Sequence, residues 1–363
     1  MSCWPLKVSS RFPAPDTSAR KPVASQQVTL LKRPIHLMRR FWAEAFALAG
    51  LVALVVGVNP LALGHVFTHI HWQFAVLMVP VVLAIYVCRG SAWWVALRGI
   101  GEHIPFVHTQ LIEVAGQVMI FLPMGDLTRV AMVRSTDHER GVGAITATVA
   151  LQELTYMLLM SFGALPQIVQ RPNVALLMLA MMLGFLTVFG VLLWKPAYER
   201  AIKLVERIKV LRRFDTQIHQ IRPAFVQLCR PRTLIPVLAL QALAAVLSFL
   251  LFYFCLLAIG LNVSYITAVF VLGVSYTFAA ISFLPLGIGA FEGLLTVILI
   301  TYGIPAAAGA AAGLLYRGYN DVLMALIGGP ALVYVRRQQR SGRWATVRKT
   351  SAASPGESAA QAV

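Results

Sequence analysis

The sequence has little charge for its length, and it has few cysteines. Of its 363 residues only 12% are charged and 58% are hydrophobic, whereas about 25% of the residues of an average soluble domain are charged. With a mean hydropathy of +0.74, this composition excludes a soluble globular protein. The four cysteines lie far apart without CxxC spacing, which argues against a disulfide framework and against a zinc site. They are Cys3, Cys88, Cys229 and Cys255.

The chain also lacks the short motifs that carry catalysis. It contains no HExxH, no GxSxG, no Walker loop and no paired-aspartate motif of sugar-nucleotide enzymes. We therefore expect a protein that is not an enzyme and that does not drive transport with ATP by itself. His65, His69 and His71 cluster in HVFTHIH, but no carboxylate or cysteine completes a site. We predict no metal and no cofactor.

Long uncharged runs predict an all-α polytopic membrane protein. A spanning helix needs about 20 apolar residues, and it satisfies its own backbone hydrogen bonds. Three further stretches could be re-entrant, broken or fully spanning: 107–122 contains Glu113, 265–286 breaks at Pro285, and 288–304 contains Glu292. We expect about eight transmembrane segments in all. The clear spans are 41–58, 74–97, 144–165, 174–194, 234–259 and 305–335.

Positive charge predicts the orientation. Lysine and arginine number 31 against 14 acidic residues, and 29 of these 31 fall on one side of the predicted membrane. By the positive-inside rule both termini are cytoplasmic. The chain then divides into a disordered basic arm (1–40), a membrane domain (41–335) and a disordered basic tail (336–363). Initiation at Met38 instead of Met1 is left open.

The longest cytoplasmic loop, 195–233, has an amphipathic pattern. Ile202 and Val205 share a helical face that opposes Lys203 and Arg207. Such a helix is expected to lie on anionic lipid, where each basic residue contributes about 1 kcal/mol. Because the basic excess accompanies long uncharged runs, it indicates a membrane surface and not a nucleic acid.

A short motif recurs along the chain. FLPMG at 121–125 returns as FLPLG at 283–287, an offset of 162 residues, and the same shift lays 144–165 on 306–327. In the predicted topology the paired spans run in opposite directions. This pattern predicts an inverted repeat with halves of about 74–165 and 236–327, in which broken segments line a substrate path; chance in a chain rich in Leu, Pro and Gly is the alternative. The breaking residues are Pro123, Gly125, Pro285, Gly287 and Gly289.

Ionisable residues inside the apolar stretches are candidates for substrate binding. Each costs about 2.5–3.5 kcal/mol at the bilayer centre, so it is expected to face protein, water or a ligand. Arg317 and Asp321 are four residues apart and could form an ion pair, with a purely structural bridge as the alternative. The six candidates are Asp126, Arg129, Glu153, Glu292, Arg317 and Asp321.

Three of these candidates follow the repeated breaks. Glu292 is expected at the start of a helix, where the positive helix end favours a carboxylate. Asp126 and Arg129 follow the first break in the corresponding place. Together they could bind an anionic or zwitterionic head group; alternatively, Asp126 is only a helix N-cap and Arg129 a cytoplasmic charge.

The segments around both breaks resemble a known family. FLPMGDLTRVAMVRS and ISFLPLGIGAFEGLLTVILITYGIPAAAGAAAGLLYR, with WWVALRG after the second span, are similar to elements of the lysylphosphatidylglycerol synthase transmembrane-region family, over about residues 41–335. The resemblance implies a flippase-like domain that moves or handles lipids in the bacterial inner membrane. Stand-alone members of the family include proteins associated with hopanoid biosynthesis. Glu153 is followed by leucine where the family often has arginine. Only 28 residues follow Val335, so we expect no aminoacyl-transferase domain.

Three functions fit these observations. The first is a lipid translocase or lipid-handling protein for an anionic or zwitterionic phospholipid or a hopanoid, with a groove open to the bilayer. The second is a proton-coupled transporter of a small polar solute, which uses Glu153 and Glu292 in a closed pocket. The third is a non-transporting partner of lipid-synthesis enzymes, without a cavity. The sequence leaves the lipid, the energy source and the oligomeric state open.

Overall fold

A computed structural model describes residues 60–119, 127–134, 141–168, 172–205, 215–281 and 287–340. Within these ranges all regular structure is helical. The predicted arm 1–40, the predicted span 41–58 and the first break, with Pro123, Gly125 and Asp126, lie outside the described residues, and so does Pro285.

The helices follow one another with short connections. In chain order they are α1 (Pro60–Thr68), α2 (Trp72–Gly99), α3 (Phe106–Gln117), α4 (Leu127–Arg134), α5 (Val142–Gly163), α6 (Leu165–Ile168), α7 (Pro172–Leu193), α8 (Lys195–Val205), α9 (Asp215–Leu228), α10 (Pro231–Ala258), α11 (Tyr265–Ile281), α12 (Ala290–Ile300), α13 (Ala306–Arg317), a π-helical turn (Gly318–Leu323) and α14 (Met324–Arg340).

Five helical segments are long and apolar enough to cross a membrane, and they confirm five of the six clear predicted spans. The last of them runs from Ala306 to Arg340 through the π-helical turn. Residues 336–340 are therefore helical, and the prediction of a disordered tail from 336 is wrong at its start. Basic side chains at a helix C-terminus favour this continuation. The other four segments are Trp72–Gly99, Val142–Gln167, Val174–Leu193 and Pro231–Ala258.

The three interrupted stretches form shorter helices. At about 1.5 Å per residue, α3 and α12 extend about 18 Å and 16 Å, and α11 about 25 Å. The helices α3 and α12 are shorter than the roughly 30 Å of a hydrocarbon core, whereas the length of α11 is that of its described part. The lengths of α3 and α12 favour broken segments over full crossings; the total of about eight transmembrane segments stays a prediction.

The two longest α-helices, α2 and α10, each have 28 residues and pack along each other. They are antiparallel, because the backbone N–H of His71, just before α2, donates to the carbonyl of Ala258 at the end of α10, 2.8 Å away. At the other end, Gly99 of α2 packs against Thr233 of α10.

The order of the elements repeats. A long helix, a shorter helix, an interval that contains a predicted break, a short helix and a second long helical segment occur as α2 to α5 and again as α10 to α14. The packing repeats as well: α3 of the first part packs on α14, and α11 of the second part packs on α5. Each part therefore supplies a short helix that packs against the last helix of the other.

Most of the apolar core of the described residues falls into two large parts, and polar side chains lie between them. One core contains the first half of α2 and the second half of α10; the other contains the end of α2 and the start of α5. Arg89, Gln152 and Gln241 lie along their helices between these two cores, and all three are buried. A polar layer thus crosses the helix bundle.

Outer faces of the long helices are apolar. Leu176, Leu179, Leu183 and Leu186 of α7 are all exposed. Contiguous exposed leucines are unfavourable in water, and they fit a surface that faces lipid.

The predicted amphipathic loop begins as a helix that packs on the protein. Tyr198 and Ile202 of α8 are buried, and the hydroxyl of Tyr198 donates to the carbonyl of Ile218 in α9 at 2.5 Å. Part of the apolar face is thus covered by protein. Contact of the basic face with anionic lipid stays a prediction, and residues 206–214 lie outside the described ranges.

Candidate functional site: two buried clusters of charge

The first charged cluster joins α2, α3, α4 and α5. It is defined by Arg89, Glu113, Arg129, Gln152 and Glu153, and we call it the four-charge cluster. Arg129 donates to Glu113 at 2.5 Å and to Glu153 at 2.9 Å, and Arg89 donates to Glu153 at 2.7 Å. Two arginines and two glutamates balance each other, which is the condition under which charges persist in a low-dielectric interior.

A glutamine completes the network. The amide oxygen of Gln152 accepts a hydrogen bond from Arg129 at 3.2 Å, and its nitrogen donates to Glu113 at 3.3 Å. Gln152 therefore fixes the orientation of an ion pair that is itself fully buried. Removal of either partner of such a pair would leave an uncompensated charge and would cost about 3–5 kcal/mol.

Aromatic rings cover the arginines of this cluster. The guanidinium carbon of Arg89 lies 4.7 Å from the ring centre of Tyr156, and that of Arg129 lies 5.5 Å from the ring centre of Trp93. Both distances suit cation–π attraction, which strengthens when the cation is desolvated.

The most exposed member of the cluster is Glu153. The side chains of Glu113 and Arg129 are fully buried, whereas 18% of the side chain of Glu153 is exposed. Glu153 is thus the member that an external ligand could reach first.

The second cluster is the acidic triad of Glu292, Arg317 and Asp321. Arg317 donates to Glu292 and, over 3.0 Å, to Asp321. The backbone N–H of Gly289 donates to the other oxygen of Glu292 at 2.7 Å, and the amide of Asn320 donates to Asp321 at 2.7 Å. As the sequence predicted, Glu292 lies at the N-terminus of α12, where a carboxylate is favoured.

The backbone before Glu292 is unwound. Gly287 and Gly289 have φ angles of +61° and +83°, a region that glycine enters without steric cost. A side chain at Gly287 would also meet Ala279 of α11 at 2.5 Å. Residues 287–289, at the end of the second predicted break, therefore form a turn that lies against α11 and leads into α12.

The two clusters carry charges of reversed sign on corresponding helices in the element order. Arg129 lies on α4, which follows the first predicted break, and Glu292 lies on α12, which follows the second. Each pairs with a charge of opposite sign on the last long helix of its own part: Arg129 with Glu153, 24 residues later, and Glu292 with Arg317, 25 residues later.

A tyrosine links the clusters. The hydroxyl of Tyr86, buried in α2, contacts the amide oxygen of Gln117 in α3 at 3.2 Å and the backbone carbonyl of Asn320 at 3.0 Å. Gln117 is one turn from Glu113, and Asn320 adjoins Asp321. The ring of Tyr156, which lies beside Arg89, also packs edge-on against the ring of Tyr276 with the ring centres 5.5 Å apart, so further tyrosines adjoin the four-charge cluster.

The predicted candidates thus separate into two groups. Arg129 lies with Glu153, whereas Glu292, Arg317 and Asp321 lie together, as expected of the Arg317 and Asp321 pair. That the groups face one cavity stays a prediction.

Residues outside the six sequence candidates complete the four-charge cluster. The apolar context of Arg89 and Glu113 was visible in the sequence, but their partners were not, because they lie on other helices. Arg98, the arginine of WWVALRG, is instead exposed and stacks on Trp94 at 4.0 Å.

The histidines do not form a recognisable metal site. The rings of His65 and His69 stack with their centres 4.5 Å apart. In the part of the chain that the structure describes, no group of three or more histidine, cysteine or acidic side chains could hold a metal ion.

Apolar helices of spanning length around a layer of paired charges define a polytopic membrane protein with a charged interior. The family model described as the lysylphosphatidylglycerol synthase TM region matches residues 41–328. The chain belongs to this family, and the resemblance inferred from its motifs is confirmed. A search of curated proteins found no match.

Proposed function

We propose that the protein is a flippase-like lipid translocase of the bacterial inner membrane, with a polar-headed phospholipid or hopanoid as substrate. The observation that carries this proposal is the two buried clusters, in which charges inside apolar helices pair with one another while 18% of the Glu153 side chain and 14% of the Arg317 side chain stay exposed. Membership of the family supports a lipid-related role.

The four-charge cluster can bind an anionic group by exchange. Glu153 accepts hydrogen bonds from Arg89 and Arg129 and is the most exposed member of the cluster. A lipid phosphate that approaches from this side would accept hydrogen bonds from Arg89 and Arg129, because guanidinium groups bind phosphate oxygens strongly. Phosphate would replace Glu153, while the acyl chains stay in the bilayer beside the apolar outer faces. No covalent change of the lipid is required.

The repeated element order supports an alternating movement. We propose that α2 to α5 and α10 to α14 form an inverted repeat, so that rocking of one part against the other exposes the polar layer to each side in turn. Reversed charge at Arg129 and Glu292 gives the two parts different preferences for the head group. Both termini and the segment with α8 and α9 are cytoplasmic in this proposal, since the basic residues collect there.

A reconstitution assay tests the proposal. The purified protein is placed in vesicles with fluorescent phospholipids, and a membrane-impermeant quencher reports the fraction of lipid that changes leaflet. We expect faster exchange than in protein-free vesicles, and we expect Glu153→Gln to slow it at least about tenfold, equivalent to about 1.4 kcal/mol in barrier height. Glu199→Gln is the matched control, because Glu199 is an exposed carboxylate of α8.

Two results would contradict the proposal. The first is lipid exchange that is no faster than in protein-free vesicles for anionic, zwitterionic and hopanoid lipids alike; this result would contradict the proposed translocase function. Equal slowing by Glu153→Gln and Glu199→Gln would remove the role of the four-charge cluster. Uptake of a polar solute by the same vesicles would favour a secondary transporter instead.

A further inference from the structure

We propose that the π-helical turn Gly318–Leu323 is a register switch for the four-charge cluster, and that Tyr86 is the positioning residue that holds this turn. In the closed form, which the structure shows, the turn is π-helical and α14 packs on α3. In the open form the turn is α-helical and the two helices separate. The switch acts during the movement of the two parts, so it rests on the proposed function.

A π-helical turn changes the register of everything that follows it. Its hydrogen bonds join residues five apart instead of four, so it holds one residue more than an α-helical turn. Each residue of α14 therefore lies where its predecessor would lie in a continuous α-helix that begins at Ala306. Conversion of the turn to α-helix would rotate α14 by about 100° and advance it by about 1.5 Å relative to α13.

The closed register places a glycine against α3. A Cβ atom on Gly328 of α14 would collide with the backbone carbonyl oxygen of Val114 in α3, so only glycine fits at this crossing. After conversion of the turn, Ile327 would take the place of Gly328. Its side chain, now on a 40% exposed residue, would collide with Val114. The α-helical form of the turn therefore requires α3 to move away from α14.

The last turn of α14 contacts α4 as well. The side-chain amide of Gln339 donates to the backbone carbonyl of Met132 at 2.7 Å. The two helices that α14 contacts, α3 and α4, carry Glu113 and Arg129, the fully buried ion pair of the four-charge cluster. A rotation of α14 therefore acts on both partners of this pair. Movement of α3 would withdraw Glu113 and leave the arginines to a lipid phosphate.

Tyr86 connects the turn to the first part. Its hydroxyl lies 3.0 Å from the backbone carbonyl oxygen of Asn320 in the turn and 3.2 Å from the amide oxygen of Gln117 in α3. A tyrosine hydroxyl has one proton, so these two acceptors compete for it. A hydrogen bond to Asn320 ties the turn to α2, whereas a hydrogen bond to Gln117 stays within the first part and releases the turn.

Deletion of one residue tests the switch. Without Val322, which is 47% exposed, the extra residue of the turn is gone, so the helix becomes continuous while Gly328 keeps its place on α3. We expect this variant to stay closed, with a Tm equal to or above that of the wild type and with lipid exchange slowed at least about tenfold, because the open form is no longer populated. Val322→Ala, which keeps the turn, is the matched control and should behave as the wild type.

Hydrogen–deuterium exchange of the full chain in a non-ionic detergent reports the switch without lipid transport. Backbone amides of α3 and of the turn exchange when the two helices separate, and we expect this exchange to be at least about tenfold slower in the deletion variant. Tyr86→Phe removes the hydroxyl and keeps the ring, so the same amides should exchange about tenfold faster. Amides of α8 are the internal reference, because a general loss of stability would accelerate their exchange too. Tyr334→Phe, at an exposed tyrosine of α14, should leave hydrogen exchange unchanged.

Three results would overturn the proposal. They are wild-type hydrogen exchange of α3 in the deletion variant, wild-type lipid exchange by that variant, and an acceleration in Tyr86→Phe that extends equally to α8. If the deletion variant does not fold, unchanged hydrogen exchange of the turn in Tyr86→Phe would overturn the proposal, and selective acceleration would support it. A wild-type protein that moves no lipid would contradict the proposed function, whereas hydrogen exchange would still decide whether the turn is a switch.

Discussion

Glu292 has two partners with different physical roles. One carboxylate oxygen meets the backbone of Gly289 at the start of α12, and the other meets Arg317. The first contact is local and stabilises a helix end, whereas the second joins α12 to α13. A single carboxylate therefore connects the unwound turn to the charged interior.

Glu292→Gln separates function from structure. Glutamine keeps one oxygen for either Gly289 or Arg317 but removes the charge, so we expect transport to fall about tenfold or more while membrane insertion stays intact. Lipid exchange in vesicles and the amount of protein in the membrane measure the two effects. If expression and Tm fall together with activity, Glu292 only holds the helices together; full activity would exclude Glu292 from the transport site.

The thiol of Cys229 should react slowly near neutral pH. Burial raises its pKa to about 11, and the thiolate is the reactive form. The rate of alkylation of Cys229 should therefore rise about tenfold per pH unit up to about pH 11, whereas a free cysteine levels off above its pKa of about 8.5. Peptide mass spectrometry of the full chain measures the rate. A plateau near pH 8.5 would contradict the expected burial.

At the level of elements, the second break depends on Gly287. Its positive φ and its contact with Ala279 leave no room for a side chain. Gly287→Ala should therefore lower the free energy of unfolding by at least about 1–2 kcal/mol, which a shift in Tm reports.

A second glycine provides the control for this substitution. A Cβ atom added to Gly184 of α7 would meet no neighbouring atom of the described residues within 4 Å, and alanine favours a helix by about 1 kcal/mol over glycine. Gly184→Ala should leave Tm equal or higher. Equal behaviour of the two variants would show that the turn at Gly287 does not constrain the fold.

Hydropathy predicted the long helices well, because a membrane imposes a minimum apolar length on each one. The five described spans start and end within a few residues of the predicted ones. The π-helical turn Gly318–Leu323 was not predicted, because it lies inside one continuous predicted span, 305–335. The ion pair between Arg129 and Glu113 could not be predicted either, because one sequence does not reveal which helices are neighbours.

At the scale of the whole molecule, orientation can be measured directly. Reporter fusions to either terminus, or within 206–214, should be active only in the cytoplasm, because 29 of 31 basic residues lie on that side in the predicted topology. A fusion between α10 and α11, around Gly260, should report the opposite side. A periplasmic signal from either terminus would overturn the topology.

If α2 to α5 and α10 to α14 form the proposed inverted repeat, the reversed charge of their ion pairs has a consequence for direction. A path lined by identical halves would be electrically symmetric, so a charged head group would meet the same barrier from each leaflet. Arg129 with Glu153 and Glu292 with Arg317 instead give the two parts opposite polarity along the chain. In an inverted repeat with this polarity, the sign of the head-group charge would determine from which leaflet the head group enters more readily.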